Sequence, residues 1–96
     1  MSDCVIYKYH VDDNYTDIEM PYGARILRAD YHNGGTYIWA MVDIDYIDSS
    51  VPHEKRTFCV FGTGQEFDHT GRQLDYVNTF YQGPFVWHVF EEVQNG

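Results

Sequence analysis

Residues 54–64 read EKRTFCVFGTG, and this stretch decides the fold. A charged cluster runs directly into alternating β-forming residues, and a Gly-Thr-Gly turn at residues 62–64 ends the run. Runs of the same kind precede and follow it, and no helical periodicity lies between them. The stretch therefore predicts a half-buried strand with a defined end, in a protein built from strands.

The remaining strands are predicted from similar patterns. Asn33-Gly34 stands between two apolar runs, and this pair is a strong signal for a tight hairpin turn. We therefore interpret residues 24–31 as the first arm of a β-hairpin, although their composition also tolerates a helix. With the opening strand included, the expected strands cover residues 4–10, 15–20, 24–31, 36–43, 53–61, 76–81 and 85–90.

Turn signals between these strands recur every ~8–12 residues, which is typical of a small antiparallel β-sandwich or a partly open barrel. Residues 36–43 are apolar on both faces, which predicts a strand in the middle of a sheet that is covered on both sides. Residues 15–20 alternate with polar side chains and predict an edge strand. The longest irregular stretch, Gln65–Asp75, is a loop of the size that often carries function.

The composition indicates one globular β domain, residues 1–96, with an ordered core over about residues 4–91. Its 96 residues are 44% hydrophobic and 18% aromatic, which excludes the depleted composition of disordered chains. We recognise neither a signal peptide nor a membrane-spanning run, so we expect a cytosolic location. Cys4 and Cys59 lack a CxxC spacing, and we expect free thiols, with Cys59 facing a core.

The formal net charge is −9, from 15 acidic and 6 basic residues. Such a surface repels phosphate backbones and anionic lipid head groups at long range, so we expect no direct nucleic-acid binding and no membrane attachment. The charge is compatible with solubility alone. It also fits an acidic surface that docks on a basic surface of another protein.

The usual signatures of catalysis are missing from the sequence. The five histidines are scattered without HxxxH or HExxH spacing, so only strand pairing could bring His10 and His88 together at a metal. We expect His88 to occupy a half-buried sheet position with a hydrogen-bond partner. No GxSxG elbow is present, and Cys59 lies in mid-strand, where packing is its expected role. We therefore expect a non-enzymatic protein without a cofactor or a metal.

Two groups of charged residues are candidates for binding. Asp43, Asp45 and Asp48 follow a predicted central strand, and the first two would lie on one side of an extended chain. They could hold a divalent cation or form only a solvated connection, and no calcium-loop spacing is present.

The second group is cationic. Lys55 and Arg56 are adjacent on a strand and so point to opposite faces. We expect one of them to pair with a carboxylate across the sheet, and the other, together with Arg72 or Arg25, to hold an anionic ligand.

Six stretches in a fixed order are familiar: VIYKY, IEMPYGARIL, WAMVD, EKRTF, GTG and HVFE, which begin at residues 5, 18, 39, 54, 62 and 88. Together they resemble a family of small uncharacterised proteins of tailed bacteriophages and prophages, over about residues 5–91. The chain departs from that pattern in a longer connection between Asp43 and Glu54 and in its own Gln65–Asp75 loop. The resemblance implies a phage origin and expression in a bacterial host cytoplasm. It supplies no catalytic residue.

These observations lead to a functional hypothesis and its rivals. We expect a phage protein whose acidic, aromatic-bearing surface binds a host protein, to inhibit an antiviral defence. The alternative is a sponge that sequesters a nucleotide signal at the interface of a homo-oligomer, with aromatic stacking on the base and Lys55, Arg56 or Arg72 on phosphate. A third alternative, a virion or scaffolding component, rests on the phage resemblance alone.

Overall fold

The computed structural model describes residues 3–47 and 52–93 of the chain. It contains seven strands, namely β1 (Cys4–Val11), β2 (Tyr15–Pro21), β3 (Arg25–His32), β4 (Gly35–Asp43), β5 (His53–Gly62), β6 (Leu74–Gln82) and β7 (Phe85–Glu92). One turn of 3₁₀ helix, Ile44–Tyr46, follows β4, and the described residues include no α-helix. The all-β prediction is confirmed, and each strand boundary lies within two residues of the predicted one.

The strands form two antiparallel sheets that pack together and do not close into a barrel. Sheet A has the order β1-β4-β3, and sheet B has the order β2-β5-β7-β6. The predicted edge position of β2 and the predicted middle position of β4 are both confirmed. The molecule is therefore a small β-sandwich.

The β3–β4 hairpin forms as the Asn-Gly pair predicts. Asn33 has a φ of 48° and Gly34 a φ of 85°. Left-handed backbone at both central positions is the geometry that suits the twist of two hydrogen-bonded strands. His32 and Gly35 pair directly beside the turn. Residues 25–32 are therefore a strand rather than a helix.

The main core lies between the sheets. It is built from the side chains that alternate inward along the strands, which is how a sandwich buries one face of each sheet. Its buried members are Val11, Ile18, Met20, Ala24, Ala29, Ile38, Ala40, Val42, Phe58, Val60, Phe80 and Val89.

A second apolar layer covers the outer side of sheet B. Phe67, in the loop after β5, stacks on Phe61 with ring centroids 3.8 Å apart, and the rings of Tyr15 and Phe90 contact the same Phe61 side chain. This cover buries β5 on both sides, so that all five residues Thr57–Phe61 are buried. The prediction of a half-buried strand here is therefore wrong.

By contrast, β4 is covered on one side only. Ile38, Ala40 and Val42 are fully buried, whereas the outward Tyr37, Trp39 and Met41 are half-buried. The expectation that β4 is covered on both sides is wrong, because the covering loop lies on the other sheet. The outer side of sheet A is left as an open, ring-bearing surface.

A side-chain amide joins the two sheets at one edge. The Asn78 Oδ1 accepts from the backbone N–H of Ala29 at 2.8 Å, and its Nδ2 donates to the Ala29 carbonyl at 2.8 Å. The β6–β7 register shifts between Tyr76 and Asn78. Such a bulge re-aims side chains, which is consistent with the position of this amide between β6 and β3.

Candidate functional site

Antiparallel topology brings the carboxylates of several strands to one end of the sandwich. Cys4 pairs with Asp43, Pro21 pairs with His53, and Leu74 pairs with Glu92. These pairs place the starts of β1, β5 and β6 beside the ends of β4, β2 and β7. The surface that results, which we call the acidic end, is defined by the carboxylates of Asp3, Asp43, Asp45, Glu54, Asp75, Glu91 and Glu92.

A groove of about 710 Å³ opens at the acidic end. Glu54, Asp75, Glu91 and Glu92 line it together with two cations, and Tyr22 stands at its rim with 59% of its surface exposed. The groove has an acidic excess and an exposed aromatic ring. It thus offers both charge and an apolar contact to a basic chain.

Arg56 ties this end of the sandwich together. Its Nε donates to Glu91 Oε2 at 2.6 Å and a terminal nitrogen donates to Glu91 Oε1 at 2.8 Å, a bidentate pair. The other terminal nitrogen donates to the carbonyl of Ala24 and lies 3.6 Å from Glu54. These contacts join sheet B to the connection that enters β3.

The surroundings of Arg56 keep it charged. Hydrogen bonding to Glu91 raises the pKa of Arg56, against the opposing effect of burial. Because its donors already have partners within the chain, Arg56 is a structural cation here. The sequence predicted that one of Lys55 and Arg56 would pair with a carboxylate across the sheet, and Arg56 does so. It also predicted Arg56 among the ligand-binding residues, whereas here its donors are bound within the chain.

The predicted aspartates are only partly brought together. Asp43 and Asp45 do not lie along an extended strand, because the chain turns into the 3₁₀ helix at this point. The Asp43 Oδ1 accepts from the backbone N–H of Asp45 at 2.9 Å and caps that helix. Both residues nevertheless belong to the acidic end. Asp48 lies outside the described residues.

Lys55 and Arg72 meet on the outer side of sheet B, whereas Arg56 faces inward. The opposite orientation of Lys55 and Arg56 was predicted from the strand period. One groove of about 370 Å³ is lined by Lys55, Arg72 and Tyr15, which are distant in the sequence. Lys55 Nζ lies 3.8 Å from Asp17, and Arg72 lies 3.2 Å from Glu92 with its guanidinium over the Tyr15 ring.

These contacts weaken the expected anion site. In the groove of Lys55 and Arg72, each cation faces a carboxylate of the chain itself. A phosphate would have to displace Asp17 or Glu92 from its partner. The three predicted cations therefore do not form one cationic site.

The outer side of sheet A presents a different chemistry. We call it the aromatic face, and it is defined by Ile6, Lys8, His10, Arg25, Arg28, Asp30, His32, Tyr37, Trp39 and Met41. Sequence reasoning missed it as a site. The signal that could have revealed it is the set of outward residues on 36–43, namely Tyr37, Trp39 and Met41, which the sequence pattern placed on a covered side of the sheet.

One comparison with known proteins gives a match. A family model described as a domain of unknown function, DUF7352, matches residues 3–96. The chain belongs to this family. No curated protein and no solved structure matches it. Membership of an uncharacterised family is thus confirmed, and the phage origin stays a prediction.

The histidines of this DUF7352 domain lie on different surfaces. His10 belongs to the aromatic face, whereas His88 lies on the outer side of sheet B, so β-pairing does not bring them together. His88 is half-buried and hydrogen-bonds Thr63 at 2.7 Å and Thr79 at 3.0 Å, as its predicted role requires. Within residues 3–47 and 52–93, no group of three or more potential ligands could hold a metal ion.

The two cysteines of the DUF7352 domain are free thiols in different environments. Cys4 is exposed, and Cys59 is buried as predicted. Burial raises the pKa of Cys59 to about 11, so the thiol stays protonated at neutral pH and is a poor nucleophile. In the described part of the chain, no helix is long and apolar enough to cross a membrane.

Proposed function

We propose that this DUF7352 protein is a non-enzymatic binding protein that docks its acidic end onto a basic surface of a protein partner. The observation that carries the proposal is the convergence of carboxylates from β4, β5, β6 and β7 on one end of the sandwich. Opposite charges steer two proteins together and fix their relative orientation.

The groove at this end adds an apolar anchor to the charge. Tyr22 is 59% exposed and follows the buried Pro21, at the turn that leads into β3. Tyrosine is enriched among residues that dominate binding energy, because its ring buries a large area at low entropic cost. A lysine or arginine of the partner would enter the groove while an apolar side chain covers Tyr22.

The proposal of a non-enzymatic role draws support from the two groups best suited to chemistry. The Cys59 thiol is buried in a sheet, and His88 is held by two threonine hydroxyls. Each of these groups has a packing or hydrogen-bonding role.

A charge-reversal experiment tests the acidic end. The variant Asp45→Lys/Asp75→Lys reverses two exposed carboxylates there, and the variant Asp13→Lys/Glu66→Lys reverses two exposed carboxylates elsewhere. Both change the net charge equally. From host lysate, we expect the wild type and the second variant to capture the same salt-sensitive partner, and the first variant to lose it.

Equal capture by both variants, at matched thermal stability, would contradict docking through the acidic end. Equal loss of capture by both variants would show that only the overall charge matters, which also contradicts docking through the acidic end. Loss confined to the first variant supports the proposal.

We further propose that the protein is encoded by a phage, acts in the host cytoplasm and inhibits an antiviral defence protein. The resemblance of six ordered stretches to phage and prophage proteins supports this part. In a bacterium whose defence restricts a phage, expression of the wild type should restore plaque formation. Expression of Asp45→Lys/Asp75→Lys should not, and restoration by neither protein would count against the defence role.

A nucleotide sponge remains the second candidate, built on the stacking of a base and on Lys55, Arg56 or Arg72. The carboxylate partners of all three cations argue against it. A nucleotide bound at a hundredfold excess over its Kd would add roughly 2.7 kcal/mol to the free energy of unfolding. Unchanged melting temperatures across a panel of cyclic and ADP-ribose-type nucleotides would exclude this function.

A further inference from the structure

The aromatic face combines rings and cations in register across three strands. Lys8 on β1 pairs with Trp39 on β4, and Trp39 pairs with Arg28 on β3, so a cation lies on each side of the indole. The neighbouring row has Ile6, Met41 and Arg25 in the same order. Adjacent strands lie about 4.8 Å apart, so both flanking cations reach the edge of a group stacked on the ring.

The rings form a continuous cluster along β4. Tyr37 and Trp39 have centroids 6.3 Å apart, and His32 lies 6.3 Å from Tyr37 and 6.1 Å from Trp39. The His10 ring lies 5.0 Å from Tyr37 on the other side. Lys8 Nζ lies over the Tyr37 ring, 4.6 Å from its centroid, so the face of Tyr37 already holds a cation and Trp39 is the ring that a base would use.

The charge of this face is opposite to that of the molecule. Three of the six basic residues, Lys8, Arg25 and Arg28, lie here, against Asp30 and Asp43 on the outer side of the same strands. Asp12 pairs with His10 at 2.6 Å, and Asp30 pairs with Arg28 at 3.2 Å. Among the described residues, Lys8 and Arg25 are therefore the cations of this face without a carboxylate partner. The carboxylates on the outer side of sheet B, such as Asp17, lie across the core from this face.

We propose that the aromatic face binds single-stranded nucleic acid. Unpaired bases would stack on Trp39, and the phosphates would contact Lys8 and Arg25. Stacking platforms beside cations are the physical requirement for binding a single strand without sequence preference. A duplex does not meet it, because the faces of its bases are already stacked inside the helix.

The net charge alone predicted no direct nucleic-acid binding, and this proposal differs from that prediction. That expectation treated the charge as uniform, whereas the fold separates the cations of sheet A from most of the carboxylates. The proposal does not depend on docking at the acidic end, which lies outside the cluster of rings.

A direct test uses the two tryptophans. The variant Trp87→Phe leaves Trp39 as the single tryptophan. Titration of this variant with a twelve-residue oligothymidylate at low salt should quench the indole emission, and added salt should reverse the quenching. A duplex of the same length should bind at least tenfold more weakly.

Matched variants locate the binding site. In anisotropy titrations with a dye-labelled oligothymidylate, Lys8→Gln/Arg25→Gln and Trp39→Ala should each weaken binding by tenfold or more. Lys55→Gln/Arg72→Gln removes the same charge from sheet B and should leave the affinity within twofold. Thermal melts establish that all variants are folded.

Three results would overturn the proposal. The first is the absence of binding by the folded wild type at low salt, and the second is an equal loss of affinity in the sheet A and sheet B variants. The third is a concentration-dependent change of Trp39 emission in the absence of oligonucleotide. The last result, with a dimer seen by sedimentation, would assign the face to a second copy of the chain.

Discussion

Arg56 shows how far the sequence can assign the role of a charged residue. The strand period predicted that one of Lys55 and Arg56 would pair with a carboxylate across the sheet and that the other would contact a ligand. In the fold, Arg56 lies at the junction of β5, β7 and the entry to β3, with 16% of its side chain exposed. The sequence predicted the kind of contact but not its partners, because Glu91 lies 35 positions away and Ala24 lies 32 away.

Replacement of Arg56 should therefore destabilise the fold. Arg56→Ala leaves Glu91 and the Ala24 carbonyl without their donors, and we expect a loss of about 2–3 kcal/mol in the free energy of unfolding. Arg56→Lys keeps the charge but not the bidentate fork, and should lose about half as much. Urea unfolding measures both values.

Lys55 provides the matched control for that series. Its ion pair with Asp17 is more than half exposed on both sides, so Lys55→Ala should change the free energy of unfolding by less than about 0.5 kcal/mol. Equal losses in the Lys55 and Arg56 variants would contradict the structural role of Arg56.

Cys59 links burial to the pH dependence of stability. Its pKa is raised from 9.0 to about 11 in the folded protein. The unfolded chain therefore releases the thiol proton from about pH 9, while the folded chain retains it until about pH 11. The free energy of unfolding should fall as pH rises through this window, by at most about 1.4 kcal/mol per pH unit from this group.

Cys59→Ala removes that titration. Although the variant should be less stable at pH 7, its free energy of unfolding should fall less steeply between pH 9 and pH 11, as measured by urea unfolding at several pH values. Parallel curves for the wild type and the variant would show that Cys59 does not titrate as its burial requires.

At the scale of elements, local signals predicted the strands and long-range contacts did not follow from them. The Asn33-Gly34 turn predicts a hairpin because the left-handed conformation is encoded in those two residues. The burial of the outer side of β5 was not predictable, because it depends on the position of Phe67 in the fold. The strand patterns do not distinguish the two cases, since both β4 and β5 are apolar on their two faces. Carboxylates at separate strand ends likewise converge only once the pairing of the strands is known.

Asn78 carries the contact between the edges of the two sheets. Asn78→Ala leaves the buried N–H and C=O of Ala29 without their side-chain partner, and should cost about 2–3 kcal/mol in the free energy of unfolding. Amide hydrogen exchange at Ala29 should accelerate in the variant.

Asn78→Asp is the informative comparison. A carboxylate can accept from the N–H of Ala29 but cannot donate to its carbonyl, so this variant should keep protection of the Ala29 amide better than Asn78→Ala does. Unchanged exchange at Ala29 in Asn78→Ala would contradict the bridging role of the amide.

At the scale of the whole molecule, the net charge of −9 is unevenly placed. The sequence predicted an acidic protein but could not predict how the charge is distributed over its surface, because strand pairing decides which charges share a surface. Antiparallel pairing gathers seven carboxylates at one end and leaves three cations beside the rings of sheet A. Two surfaces of opposite character result, and the acidic end is the one that we propose for binding a protein partner.

Zero-length carbodiimide coupling in lysate of the proposed bacterial host tests that proposal most directly, because it joins a carboxylate only to an amine in contact with it. Mass spectrometry of the products should show Glu54, Asp75 or Glu92 joined to lysines of one host protein, and high salt should abolish the products. Products formed instead through Asp13 or Glu66, or the absence of any product of defined mass, would contradict binding through the acidic end.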